Sequence, residues 1–171
     1  MADESSPDNV RMMAALIFKN FVANRGGVSL LTHFCVQDSR YQDYWVSLDN
    51  VFKEQIKQAM LMSLAAQSST VRTQVANAVA VIASIEIPRR EWLELIPNLC
   101  TNARHENPDY RNSSLQTLGF LCDELAPEDL NDSLKNEIVS ALTSNITSVL
   151  ANERSTHLAV KAFFQALPFA H

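Results

Sequence analysis

Apolar residues recur along this chain three and four positions apart and nowhere alternate over a sustained stretch, a pattern that predicts helices throughout. Ser6-Pro7-Asp8-Asn9 is a helix start, with proline and acidic residues in the first turn, followed by Val10, Met13, Ala14, Ile17 and Phe21 at helical spacing. A second segment sets Leu48, Phe52, Ile56, Ala59 and Leu64 on one face. A third runs from about Ser69 through Val71, Val75, Ala78, Val79 and Ile82 and stops before Pro88. The fourth holds Trp92, Leu95, Ile96 and Leu99 with Pro97 inside it. The fifth opens at Asn107-Pro108 and carries Leu115, Leu118, Cys122 and Leu125 up to Pro127. The sixth shows Leu134, Ile138, Ala141, Leu142 and Val149, and the last Leu158, Ala162, Phe163 and Ala166 up to Pro168. The predicted class is all-α.

The helices also repeat as pairs. Pro88, Pro127 and Pro168 close the third, fifth and seventh segments at intervals of about 40 residues, which is a solenoid period. Val71-Arg72 and Tyr110-Arg111 open two of those segments at the same distance before the closing proline. Val10-Arg11 opens the first segment in the same way, and Arg154 is a looser match. A two-helix unit with apolar surface on two sides must stack on neighbours, and an acid and an arginine at each second helix can pair from repeat to repeat as a ladder. The competing architecture is a compact helical bundle with unrelated prolines.

Composition narrows the function classes. The chain has 171 residues, 47% apolar and 19% charged, which suits one domain with a packed core. Its three glycines, Gly26, Gly27 and Gly119, leave no phosphate-cradling loop or dinucleotide fingerprint. A net charge of -5 is the wrong sign for generic nucleic-acid binding. Cys35, Cys100 and Cys122 are odd in number and form no C-x-x-C pair, so no disulfide framework or zinc site is read. The acidic start Met1 to Ser6 is unlike a signal peptide, and the longest apolar stretch, from Val75 to Ile87, is broken by Asn77, Ser84 and Glu86, so no membrane span is expected. The expected compartment is intracellular.

No catalytic constellation emerges. His33, His105, His157 and His171 share no ligand spacing, and Ser69-Thr70 and Ser113-Ser114 lack the context of a nucleophile. Cys100 and Cys122 fall at core spacing, Glu91 and Glu94 form a solvated helix edge, and Trp45 and Trp92 are expected to pack. The expectation is a protein that is not an enzyme and uses neither metal nor cofactor.

Asp8-x-Val10-Arg11-x-x-Ala14, Val71-Arg72, Pro97 and Asp109-Tyr110-Arg111 resemble HEAT repeats. Arg11 to Asn20, Tyr44-Trp45, Ile85-Glu86-Ile87-Pro88, Trp92 to Pro97, Leu118 to Cys122 and Asn136-Glu137-Ile138 together resemble the importin-beta (karyopherin) family of nuclear import receptors, in order and over nearly the whole chain. The resemblance implies an α-solenoid of antiparallel helix pairs wound as a right-handed superhelix. It matches an amino-terminal part of that longer family, from the second helix of repeat two to repeat five. Residues 1–23 are then the second helix of an incomplete repeat, 24–45 a loop, and 46–87, 88–127 and 128–171 are repeats. The loop is longer than the family pattern around Gly26 to Gln37.

The resemblance implies a transport receptor that binds Ran-GTP and phenylalanine-glycine nucleoporins, with cargo or the importin-alpha adaptor held by repeats beyond this segment. It implies no nucleic-acid or membrane partner, and a place in cytoplasm, nucleus and nuclear pore. Lys19 and Asn20 would meet Ran, and Val139, Leu142 and Thr143 would form a shallow nucleoporin pocket. From the residues alone, Lys19 reads equally as a cation at a helix C-terminus, and Val139 and Leu142 as part of a wide core stripe. The alternative function is a generic HEAT-repeat scaffold in another complex.

Overall fold

The computed structural model describes residues 39–148 and 152–170. Its helices are α1 (Ser39–Ser47), α2 (Asn50–Ser63), α3 (Ser69–Glu86), α4 (Leu95–Asn102), α5 (Pro108–Glu124), α6 (Asp132–Thr147) and α7 (Glu153–Ala166). Short 3-10 turns at Ile87–Arg89, Pro127–Asp129 and Leu167–Ala170 follow α3, α5 and α7, and each contains one of the periodic prolines. Proline has no N–H to continue the α-helical ladder, so the chain tightens and leaves the helix there. At the other ends, the side chains of Asp49, Ser68, Asn107, Asn131 and Asn152 accept hydrogen bonds from backbone N–H groups in the first turns of α2, α3, α5, α6 and α7. Each such cap is worth about 1 kcal/mol.

The pairs α2/α3, α4/α5 and α6/α7 are joined by short connections. The second helices stack in one layer, α3 on α5 and α5 on α7, and α4 also packs on α6. Among the described residues there is no strand. The middle of the layer explains its sequence: α3 is buried from Val75 to Glu86 except at Asn77 and Ser84, because it is covered on several sides. In α7 the buried residues are small, Ser155, Ala159, Ala162 and Ala166, and they lie against α5 at Gly119. A Cβ on Gly119 would stand 3.3 Å from Ala162 Cβ and 2.5 Å from Gln165 Oε1, so the close approach of the two helices uses the missing side chain.

The arginine ladder is present. Arg72 Nη1 donates to Ala66 O at 2.6 Å and Gln67 O at 2.8 Å, and its Nη2 lies 2.9 Å from Asp109 Oδ1 in the next pair. Arg111 repeats the arrangement one pair later: Nη1 donates to His105 O at 3.0 Å and Glu106 O at 3.3 Å, and Nε donates to Ser155 Oγ at 3.2 Å. Each arginine thus satisfies the carbonyls of its own inter-helix turn and reaches the following repeat. Further rungs join Thr73 to Gln116, and Gln165 to Asp123. Asn145 donates from Nδ2 to Ala103 O at 2.8 Å, so α6 satisfies the C-terminal turn of α4.

Three expectations are corrected. Residues 39–45, expected within a loop, lie in α1, whose Trp45 is 1% exposed and contributes to the core. Phe52, expected on the buried face of the second segment, is 51% exposed, and Lys53 and Lys57 are buried instead. The fourth helix begins at Leu95, not Trp92, and Arg90 and Trp92 take left-handed backbone at φ 62° and 54°. Two such non-glycine residues cost about 1–3 kcal/mol each and persist where packing holds them, here through the buried Trp92 ring. Val149 lies outside the described residues.

Candidate binding surface

The first helices α2, α4 and α6 form the layer opposite the stacked second helices. On α6, Ile138, Ala141, Leu142 and Asn145 are buried at helical spacing. Leu142 is fully enclosed, Val139 is half-buried and Thr143 is exposed. Of the three residues assigned to a nucleoporin pocket by resemblance, Val139 and Thr143 therefore reach the surface, and Leu142 supports them from the core. Lys19 and Asn20 lie outside the described residues.

Two clefts open between successive pairs. One, of about 230 Å³, separates α2 from α4 and has Leu61, Leu64 and Leu99 as apolar walls, Asn98 and Asn102 on α4, and Ser113 on α5. The other, of about 460 Å³, lies where the 3-10 turns approach each other, with Pro88, Arg90 and Leu93 facing the Glu128–Leu134 segment.

A buried charge cluster holds α1, α2, α3 and the turn before α4 together. Glu86, 1% exposed, ends α3, where a carboxylate opposes the helix dipole. Its Oε2 accepts from Lys57 Nζ at 2.9 Å and its Oε1 from the Trp45 indole at 3.2 Å. Lys57 Nζ also lies 2.5 Å from Glu54 Oε1 and 5.1 Å from the centroid of the Trp92 ring. Lys53 meets Glu91 at 3.8 Å. Burial alone would lower the Lys57 pKa, but hydrogen bonds to Glu54 and Glu86 outweigh it and hold the amine above its ordinary value. Sequence reasoning passed over this cluster. The available signal was that Lys53 and Lys57 stand four apart on one face of α2.

The remaining candidates divide between the core and the surface. Cys100 and Cys122 are buried, and burial pushes both thiols up to about 12, which suppresses the nucleophilic thiolate. Trp45 and Trp92 are buried; Glu91, Glu94, His105 and His157 are exposed. His33 and His171 lie outside the described residues. Ser114 is buried, and Ser113 is 2% exposed with an Oγ that hydrogen-bonds to no protein atom. The observed surface offers shallow apolar depressions and hydrogen-bonding rims between repeats. Such a surface can bind extended polypeptide.

No family model matches the chain. In sequence it is similar to importin subunit beta-1 of Arabidopsis thaliana, 28% identical over 172 residues, covering 99% of this chain and 19% of that protein. In structure it is similar to Kap95p, the yeast importin-beta, in a Kap95:Nup1 complex, with TM-score 0.82 and 26% identity over 98% of this chain and 19% of that one. It is equally similar to Kap95p in a structure where binding induces the switch loops of RanGDP to adopt the GTP-bound conformation, with TM-score 0.84, 26% identity and the same coverage. The described stack is thus an importin-beta-like HEAT-repeat solenoid, and the chain spans about a fifth of the length of the relatives it matches.

Proposed function

We propose that this chain is a nuclear transport receptor segment that binds Ran and phenylalanine-glycine nucleoporins during import of proteins into the nucleus. The observation that carries the reading is the end-to-end similarity to importin-beta in both sequence and fold. On this reading the chain works by binding rather than catalysis, in cytoplasm, nucleus and at the nuclear pore. Residues 46–87, 88–127 and 128–171 act as successive repeats; the second helix expected in 1–23 lies outside the described residues. Nearest-neighbour interfaces such as the Arg72–Asp109 rung let the curvature of the stack change, so a ligand on one face can oppose a ligand on another. Cargo or the importin-alpha adaptor is bound by repeats outside this segment.

Lys19 and Asn20 are proposed to contact Ran. Lys19→Glu should weaken binding of the GTP form by about 1–3 kcal/mol, the range of a charge-assisted hydrogen bond, in a calorimetric titration. Unchanged affinity with an intact fold would remove Lys19 from the contact. The nucleoporin contact is proposed at Val139 and Thr143 over Leu142. Because Leu142 is enclosed, the informative change is Thr143→Asp, which leaves the core intact. Weak binding of a phenylalanine-glycine peptide that is lost in T143D supports the assignment; equal binding refutes it.

A further inference from the structure

The boundary between the α2/α3 and α4/α5 pairs differs from the one that follows it. Among the described residues, left-handed backbone at a non-glycine position occurs only in the turn after α3, at Arg90 (φ 62°) and Trp92 (φ 54°). The turn after α5 has none: Ala126 and Leu130 on either side of it take φ -83° and -113°. Such backbone is uncommon for an arginine and an outlier for a side chain as bulky as tryptophan. What holds the turn is α2, because the Trp92 ring centroid lies 5.1 Å from Lys57 Nζ and Glu91 Oε2 lies 3.8 Å from Lys53 Nζ. The first helices are also spaced unequally: α4 packs on α6, whereas a cleft of about 230 Å³ separates α2 from α4. The second helices are continuous across the same boundary, α3 on α5. A strained turn, a gap in one layer and an unbroken contact in the other thus coincide.

We propose that this boundary is a latched hinge, strained in the turn at Arg90 and Trp92 and held shut by the contacts of Trp92 and Glu91 with Lys57 and Lys53. The observed arrangement is the latched one. In the released arrangement the Trp92 ring leaves Lys57, Arg90 and Trp92 return to right-handed or extended backbone, and α2 swings relative to α4 about the α3–α5 contact. Strain in the turn favours release. The cation–π contact, the ion pair and the burial of Trp92 favour the latch. Two opposing contributions leave an equilibrium that a modest perturbation shifts. The boundary between α4/α5 and α6/α7 has neither the left-handed backbone nor the gap, so those four helices move as one body. Curvature then changes at one junction rather than evenly along the stack, whether or not the chain serves in transport.

The test varies Arg90 in the whole chain, since its side chain is exposed and the substitution changes backbone preference more than packing. Glycine takes φ 62° freely, and a β-branched valine resists it. Amide exchange by NMR reads the opening. Glu91 N–H, which donates to Glu86 O at 3.0 Å, should exchange roughly tenfold faster in Arg90→Val than in Arg90→Gly, equivalent to about 1.4 kcal/mol. Asp129 N–H, which donates to Ala126 O at 3.0 Å in the turn after α5, should exchange alike in both. If R90V does not fold, wild type against R90G makes the same comparison, with slower Glu91 exchange in R90G. The swing itself is read by spin labels at Gln58→Cys on α2 and Asn136→Cys on α6, both exposed positions, in a Cys35→Ser background; Cys100 and Cys122 are buried. Electron-resonance distances should show one dominant separation in R90G and a second in R90V with Trp92→Leu, which removes the aromatic partner of Lys57. Equal Glu91 exchange across the Arg90 series, or the same single separation in both labelled proteins, would overturn the hinge.

Discussion

Removing the ammonium of Lys57 should destabilise the protein strongly. In Lys57→Met the stem is replaced by a side chain of similar length, so packing is nearly retained. Glu86 is left 1% exposed at the C-terminal end of α3, with the Trp45 indole as its remaining side-chain donor. Breaking a buried pair in this way costs about 3–5 kcal/mol, because the surviving carboxylate is neither hydrated nor neutralised. The exposed Glu54 contributes little to that figure, since its charge is returned to solvent when Lys57 is removed. In Lys57→Met with Glu86→Gln, the buried charge disappears and an acceptor for the Trp45 N–H remains. The double variant should recover about 2 kcal/mol of the loss. Urea unfolding of the wild type, both single variants and the double, followed by circular dichroism, gives the coupling directly. A K57M cost below about 1 kcal/mol, or a double variant no better than K57M, would show that Lys57 and Glu86 act independently.

The ladder predicts an asymmetry. Arg72→Lys cannot serve the turn carbonyls and Asp109 from two nitrogens at once, as Nη1 and Nη2 do, and should cost about 1–3 kcal/mol, whereas Asp109→Asn should cost under about 1 kcal/mol because Asp109 is 58% exposed; thermal melts compare the two. Gly119→Ala should stay within about 1 kcal/mol of wild type, since helix propensity offsets contact with Ala162 and Gln165 can move. Gly119→Leu should cost about 1–3 kcal/mol or more by forcing α5 and α7 apart, read by the same melts. Cys100 and Cys122 titrate near 12 when folded and near 9.0 when unfolded, so the unfolded chain releases these protons first as pH rises. Their contribution is fully present below pH 9 and falls by roughly 1.4 kcal/mol per pH unit per thiol between pH 9 and 12. The raised Lys57 pKa acts in the same direction above 10.5. Urea titrations at pH 8 and 10.5 on wild type and Cys100→Ala/Cys122→Ala should show a shallower alkaline loss in the double variant.

The helices from Asn50 onward, their pairing and the Arg72–Asp109 rung were legible in the amino-acid order because each is a local or periodic signal. Apolar spacing depends on the helical turn, a capping Asn or Ser acts within three residues, and Pro88, Pro127 and Pro168 end a ladder wherever they stand. The choice between Phe52 and Lys53 or Lys57 for the interior was not local. It turns on Glu86, which is 29 residues beyond Lys57 and 41 beyond Trp45 and whose buried carboxylate accepts from the Lys57 ammonium and the Trp45 indole. The same cluster ties the Trp45 indole to Glu86 and sets the Lys57 ammonium over the Trp92 ring, contacts between residues far apart in the chain. At the candidate surface, the spacing of Val139, Leu142 and Thr143 was compatible with core or surface. The stacking of α6 against α4 and α7 encloses Leu142 and leaves Thr143 in solvent. Periodicity places a residue on a helix face; which face is covered depends on neighbours distant in the chain.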